Sequence, residues 1–214
     1  MVSLLKNRGQ AEDPSNYRPV SLLPALGKAL DKIQSQRLLT HLVKNNLIST
    51  HQFGFMPGRS TTMQLLYITD RWIRALEKEH QVSAVFLDFQ KAFDKVWHHG
   101  LLHQLATLGI SGWSLKWLSS YLTDRQVAVR IRSTLSENKS ISCGVPQGSH
   151  LGPVLFIVFI NSLTDKTAIP TEIYADDTTL HHEHKKTSSC SSHLELQDAI
   201  NCTEFFSVLK DEIS

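Results

Sequence analysis

Cysteine is scarce in this sequence and never paired. Cys143, Cys190 and Cys202 are odd in number with no C-x-x-C among them, which argues against a disulfide framework or a zinc knuckle and for ordinary thiols in a reduced intracellular protein. No charge of one sign dominates either. With 22 Lys and Arg against 20 Asp and Glu, net charge neither requires nor excludes a nucleic-acid partner, and any basic surface must come from how the charges are distributed. Long hydrophobic runs are missing too: the longest, Leu151 to Ile160, is interrupted by Gly152 and Pro153 and falls well short of the roughly 20 residues that span a bilayer. The opening "MVSLLKNRGQ" is too short and too polar for a signal peptide. The expectation is therefore a soluble protein, nuclear or cytoplasmic, not secreted and without a membrane partner. The N-x-[ST] matches at Asn138 and Asn201 are then chance. Repeats and low-complexity blocks are lacking as well, and oligomeric state is not legible.

What is present is enough for a core. At 214 residues and 41% hydrophobic content, the length suits one domain or at most two small ones. After the Pro-punctuated "AEDPSNYRPVSLLP", the spacing of Leu26, Leu30, Ile33, Leu38, Leu42 and Leu47 predicts an amphipathic helix. "STHQFGFMPGRSTT" reads as a loop or hairpin, with Thr61 or Thr62 capping a helix that carries Leu65, Trp72, Ile73 and Leu76. "VSAVFLDF", residues 82–89, predicts a mostly buried strand that ends in a carboxylate, Asp88. A helix stopped at Gly109, another started at Ser111, a strand over "RQVAVRI" and an apolar helix after "SCGVPQGS" follow. "TEIYA" and "TTLHH" read as two short strands with Asp176 and Asp177 between them. Helical spacing returns at Leu194, Leu196, Ile200, Phe205 and Leu209. Mixed, non-alternating elements of this kind predict an α+β fold with helices packed on an antiparallel sheet.

Adjacent carboxylates at a strand tip have two readings. Asp is a favoured turn residue, and a solvated turn accounts for the pair without further cause. In a buried setting two such charges ~4 Å apart repel by roughly 4 kcal/mol at an effective dielectric near 20, and a third carboxylate makes a cation necessary. Asp88 supplies that third group if its strand lies beside the hairpin. Hard oxygen ligands of this number suit Mg²⁺ together with substrate phosphates, and a pair of such ions supports in-line phosphoryl displacement. Arg59 in "FMPGRST" has the planar fork that meets triphosphate oxygens. Phe93, five residues after Asp88, is placed to lie flat under a sugar, and "GVPQGS" offers Gly144 and Gly148 for close backbone approach with Gln147 as donor and acceptor. A zinc or hydrolase reading of "HHEH", residues 181–184, or of Ser149–His150 is weaker. His182 and His184 alone share a strand face, no second ligand pair appears at fixed spacing, and "GSHLG" misses the nucleophile-elbow pattern.

The ordered series "NYRPVSLLP", "QFGFMPGRST", "VFLDFQKAFDKVWHHGLL", "GVPQGSHLGPVLFIVFIN" and "YADDTTL", over about residues 4 to 182, resembles the reverse transcriptase of non-LTR (LINE-like) retrotransposons, close to the jockey and CR1 type. The resemblance implies a right-hand polymerase, with fingers over about 1–80 and 98–143, an antiparallel palm sheet backed by helices over about 81–97 and 144–190, and a residual helix over 191–214. The family's thumb is expected to be lacking, so the domain is read as incomplete, with Lys210 near the place of a family lysine. Asp88, Asp176 and Asp177 match the metal-binding carboxylates, and Phe89 the residue whose backbone carbonyl touches the second ion. Phe93 matches the steric gate against a 2′-hydroxyl and Arg59 the triphosphate-binding arginine. Gln147 and Gly148 match the turn on the incoming nucleotide and template, and Arg18 and Lys28 fall in the block that contacts the template backbone. The implied activity is RNA-directed DNA polymerisation with two Mg²⁺ ions, Mn²⁺ being the alternative, and with RNA template, DNA primer and dNTPs as partners. A catalytically silent remnant that binds RNA is the other reading. Met56, His150 and Gln90 depart from residues common in the family: Arg, an aliphatic residue and Ser.

Overall fold

Along the chain run β1 (Val2–Leu5), β2 (Tyr17–Val20), α1 (Ala25–Lys44), α2 (Thr61–Glu77), β3 (His80–Asp88), α3 (His98–Thr107), α4 (Gly112–Leu122), β4 (Arg125–Val127), β5 (Arg130–Ile131), β6 (Thr134–Leu135), β7 (Lys139–Ile141), α5 (Leu151–Ile160), α6 (Leu163–Lys166), β8 (Thr171–Tyr174), β9 (Asp177–Lys185) and α7 (Ser189–Val208). The structure is a computed structural model that describes residues 1–5, 16–131, 133–185 and 189–208; Leu209 and Lys210 lie outside them. Among the described residues no helix is long and apolar enough to cross a membrane. The chain forms two units, one from Met1–Asn45 and Phe93–Phe156, the other from Asn46–Ala92 and Ile157–Ser214. The near-zero net charge conceals a division between them. The first unit holds 13 Lys and Arg against 6 Asp and Glu, the second 9 against 14.

In the first unit a four-stranded sheet has the order β2-β1-β5-β6, and β4 pairs separately with β7. "RQVAVRI" is therefore not one strand as predicted. It divides at Ala128 and Val129 because β4 takes β7 as partner while β5 joins β1 and β6. Helix α1 departs from the expected apolar face in a similar way. Leu38 and Leu42 are buried, but Leu26 is 87% exposed, and Leu30 and Ile33 are exposed with it. The buried stripe runs instead through Asp31, Ser35, Leu38 and Leu42, an i, i+4, i+7, i+11 series on a different flank of the helix. Two polar residues survive on that stripe because each has partners. Asp31 accepts from the His150 backbone N–H (2.6 Å) and the Tyr121 hydroxyl (3.1 Å), and Ser35 donates to the His150 carbonyl (2.9 Å). Asp31 thus satisfies a free N–H at the start of α5. His150 itself is exposed, so a polar side chain at that position costs little packing.

The second unit is built on a three-stranded antiparallel sheet, order β3-β9-β8. The β3–β9 ladder runs in register from His80↔Lys185 to Asp88↔Asp177, and β8 joins β9 through Tyr174↔Asp177. Strand alternation sends Val85, Leu87 and Leu180 to the face that α7 covers with Leu196 and Ala199. The other face carries Glu172, His181, Asp88 and Asp177, and α2 covers one end of it, Trp72 meeting His181 edge-on. Strand β3 is not mostly buried as expected: its residues are intermediate or exposed, and Phe86 is 71% exposed. It lies at the sheet's edge with a strand neighbour on one side only, and α2 reaches only part of its face. The cap of α2 also differs. The Ser60 hydroxyl, rather than that of Thr61 or Thr62, accepts from the Met63 N–H at 3.2 Å. Replacing Ser60 by Ala is expected to lower unfolding free energy by about 1 kcal/mol, measurable by urea denaturation, whereas Thr61→Ala should change it little.

Candidate active site

Two residues, Ala175 and Asp176, connect β8 to β9. A loop of that length needs positive φ at its first residue to match the twist of its strands. Ala175 supplies it at φ 60° while buried, an uncommon conformation for a residue with a Cβ. The turn is held by the segment before α2. Gln52 bridges Ile173 in parallel, the Phe53 N–H donates to the Ile173 carbonyl (2.7 Å), and the Ile173 N–H donates to the His51 carbonyl (2.9 Å). The Gln52 side-chain oxygen accepts from the N–H groups of Gly54 (2.9 Å) and Ala175 (3.3 Å). Gly54 is pressed so closely on the turn that a Cβ there would stand 2.2 Å from the Ala175 nitrogen. Further back, the fully buried Glu172 has Arg71 of α2 as its charged partner at 3.5 Å. Neither Gln52 nor Gly54 was singled out by sequence. The available signal was a glycine between two phenylalanines in "QFGF", which marks close backbone approach.

This scaffold brings the three aspartates to one end of the sheet. Asp88 closes β3 directly opposite Asp177, the first residue of β9, and Asp176 precedes it in the turn. Asp176 is half-buried, while Asp88 and Asp177 are exposed rather than enclosed as expected. The Asp177 carboxyl is nonetheless held above its usual range, first by desolvation of the carboxyl and then by the charges of Asp176 and Asp88. Because the residue as a whole is solvent-exposed, water screens much of that repulsion. Among the described residues no three His, Cys, Asp or Glu side chains converge closely enough to hold an ion as they stand. The aspartates' chemistry, three hard oxygen donors with one ionisation already opposed by its neighbours, fits a divalent cation.

The remaining predicted residues divide between the units. In the second, Arg59 Nη1 donates to the carbonyls of Ser49 (3.3 Å), Thr50 (2.7 Å) and Gln52, and its guanidinium lies 5.6 Å from the centre of the Phe53 ring. It is engaged with its own loop. The Phe89 carbonyl accepts from the Ala92 N–H at 3.2 Å, leaving one lone-pair direction. In the first unit, Phe93 stacks on Phe156 at 4.7 Å. The "GVPQGS" turn is stitched to the segment that follows Phe93: Gly144 N–H to Val96 carbonyl, Val145 N–H to Phe93 carbonyl, and Gln147 Nε2 to Asp94 Oδ1 at 3.0 Å. Close approach accounts for the glycines here. A Cβ on Gly144 would meet the Asp94 carbonyl oxygen at 2.7 Å, and one on Gly148 would meet Val20 Cγ1 at 3.0 Å. The Gly144 carbonyl accepts from His98 Nε2 (2.8 Å) and Arg125 (3.1 Å). Burial pushes the His98 pKa down, opposed by the Gly144 hydrogen bond and assisted by Arg125; in the neutral ring the bond to the Gly144 carbonyl assigns the proton to Nε2. Arg18 on β2 and Lys28 on α1 are both exposed.

On the β9 face opposite the aspartates, His182 and His184 stack at 5.9 Å, as their shared parity predicts, and His182 Nδ1 lies 3.2 Å from Glu195. Cys143 and Cys202 are free thiols; the side chain of Cys190 lies outside the described atoms.

The site is thus an aspartate pair on a hairpin turn, set against a strand-terminal aspartate in an antiparallel sheet. The family model for reverse transcriptase (RNA-dependent DNA polymerase) matches residues 5–207, and the chain belongs to that family. More narrowly, it is similar to the polymerases of jockey-type non-LTR elements. It is 36% identical over 204 residues to the RNA-directed DNA polymerase from mobile element jockey of Drosophila melanogaster, covering 91% of this chain and 22% of that protein. It is 37% identical over 177 residues to the probable RNA-directed DNA polymerase from transposon BS of the same organism, covering 79% and 19%. The chain thus spans about a fifth of the length of these curated relatives. Among solved structures, apo telomerase from Candida tropicalis superposes with a TM-score of 0.58 at 13% identity, over 83% of this chain and 34% of that one. At that identity the likeness speaks for the fold, a mixture of helices with an antiparallel sheet.

Proposed function

We propose that this chain forms the palm and fingers of a right-hand polymerase that copies an RNA template into DNA, adding dNTPs to a primer 3′-hydroxyl inside the cell. The observation that carries the proposal is the ladder position of Asp88 opposite Asp177, with Asp176 in the adjoining turn. The palm corresponds to about residues 81–97 and 144–190, the fingers to about 1–80 and 98–143. Asp88, Asp176 and Asp177, with the Phe89 carbonyl, would hold two Mg²⁺ or Mn²⁺ ions. When bound, such ions would supply neutralisation of the charge that phosphoryl displacement develops on oxygen. The protein's part is positioning. The aspartates fix where the α-phosphate sits against the primer terminus, Arg59 meets the triphosphate after exchanging its loop carbonyls for phosphate oxygens, and Phe93 crowds the sugar's 2′ position. Gln147 and Gly148 support the nucleotide and template, while Arg18 and Lys28 meet the template backbone.

The test is primer extension. The purified chain with an annealed RNA template and DNA primer, dNTPs and Mg²⁺ should extend the primer, and Asp176→Asn should slow extension by about 1,000-fold, the worth of several kcal/mol of charge stabilisation. Absence of extension by the wild-type chain at every protein and divalent-ion concentration defeats the proposal. Salt-dependent RNA binding unchanged by Asp176→Asn, without incorporation, would leave an RNA-binding module instead.

A further inference from the structure

We infer that Gln52 is a positioning residue, whose buried side-chain oxygen fixes the turn that carries Asp176 and Asp177. This inference rests on the polymerase reading and adds to it a residue far from any carboxylate in sequence. Gln52 is 1% exposed and its oxygen takes two backbone N–H donors, from Gly54 and from Ala175. Those donors dictate which way the amide faces, since turning it round would set its NH₂ against two N–H groups. The consequence is visible on the other side: Gln52 Nε2 is buried with no hydrogen-bond partner among the described residues. The half of this side chain that the fold uses is therefore its oxygen.

The oxygen matters because of where the Ala175 N–H lies. Ala175 sits at φ 60° in a loop of two residues, buried, with its N–H outside the Tyr174↔Asp177 pairing. Without Gln52 that N–H is a buried orphan, and the left-handed residue loses the contact that over-determines it. Asp176 is the next residue and Asp177 the one after, so a turn that relaxes carries both carboxylates away from Asp88. The loop that supplies Gln52 also carries Arg59, whose guanidinium holds the Gln52 carbonyl. Side chain and main chain of this one residue therefore join the aspartate turn to the arginine loop.

Two variants of the 214-residue chain test this, Gln52→Leu, which deletes the acceptor at similar volume, and Gln52→Glu, which keeps it. In Gln52→Leu the Ala175 amide should exchange with solvent at least about tenfold faster relative to β3 amides. Mn²⁺, followed by electron paramagnetic resonance, should bind about tenfold more weakly. The kcat for extension should fall about 100-fold, as for a misplacement near 1 Å, with KM for dNTP within about threefold. Gln52→Glu should keep the Ala175 protection and recover most of kcat. A folded Gln52→Leu chain with wild-type exchange, Mn²⁺ affinity and kcat overturns the inference, as does a folded Gln52→Glu chain that loses Ala175 protection. The second result decides alone if Gln52→Leu does not fold. A wild-type chain with a protected Ala175 amide but no Mn²⁺ binding and no extension would overturn the polymerase reading while leaving the hydrogen bond in place.

Discussion

Gly54→Ala is expected to destabilise the chain by about 3 kcal/mol and to slow primer extension by about 100-fold in whatever remains folded. The new Cβ would fall 2.2 Å from the Ala175 nitrogen, 2.8 Å from the Tyr174 carbonyl carbon and 2.9 Å from the Ala175 Cα. All three are backbone atoms, so no side-chain rotation relieves the overlap, and either the loop or the aspartate turn must shift. Gly58→Ala is the informative contrast. A Cβ there meets nothing within 4 Å, but the residue has φ 73°, so the cost is conformational, about 1 kcal/mol, and extension should be unaffected by displacement of the turn. Chemical denaturation and single-turnover extension of both variants separate crowding from backbone strain. A Gly54→Ala chain as stable and active as wild type would mean that the segment does not bear on the turn.

Asp177→Asn is expected to stabilise the chain at neutral pH while slowing extension by about 1,000-fold. Folding raises the Asp177 pKa above its ordinary 3.8. The fold therefore favours the protonated carboxyl. Its stabilising contribution is complete below pH ~3.8 and is lost as pH rises through the elevated folded value. Asn stands in for the protonated form at every pH. The variant should thus exceed wild type in melting temperature at pH 7, and the two should converge as pH falls below about 4. Divalent ions should reverse the order. Mg²⁺ at 100 times its dissociation constant adds about 2.7 kcal/mol to a chain that binds it only when folded, and Asp177→Asn forfeits most of that gain. Thermal melts of both proteins across pH and Mg²⁺ concentration check each half; a variant less stable than wild type at pH 7 without divalent ions would show that folding does not oppose ionisation of Asp177.

The parts of this site that were legible in sequence are those whose chemistry is local. A β-branched, aromatic run ending in Asp88 and two short strands flanking an aspartate pair carry their conformation in their own residues, and the ladder puts Asp88 opposite Asp177. What periodicity could not show was which flank of a helix meets a neighbour. Leu26, Leu30 and Ile33 have helical spacing as good as that of Leu38 and Leu42, yet lie exposed, because Asp31 and Ser35 hold the buried flank through partners more than 80 residues away. The burial of β3 was overestimated for a related reason: composition fits a strand to a sheet but does not reveal an edge position. "QFGF" marks a close approach at Gly54 but not what is approached: the partner of both Gln52 and Gly54 is Ala175, 123 and 121 positions on, and no local pattern reports that distance. Arg59 was legible as a cation in a loop, but its engagement by three carbonyls of that loop was not.

The way the chain threads its two units bears on how the protein is made. Asp88 and Asp177 become neighbours only when β9 returns to β3, and all of residues 93–156, which belong to the other unit, lie in the interval. Closing a loop of roughly 90 residues is entropically slow, and sheets paired over such separations form late. Helices α1 to α4 can form while the chain is still being synthesised, but the β3–β9 ladder that sets Asp88 opposite Asp177 is complete only when Lys185 has emerged. Until then the apolar faces of β3 and α2 have no sheet to cover, a window in which the nascent chain is prone to self-association. The carboxylate site is thus a checkpoint of completed folding, and a polypeptide interrupted anywhere between Asp88 and Asp177 retains stretches of recognisable sequence without any site at all.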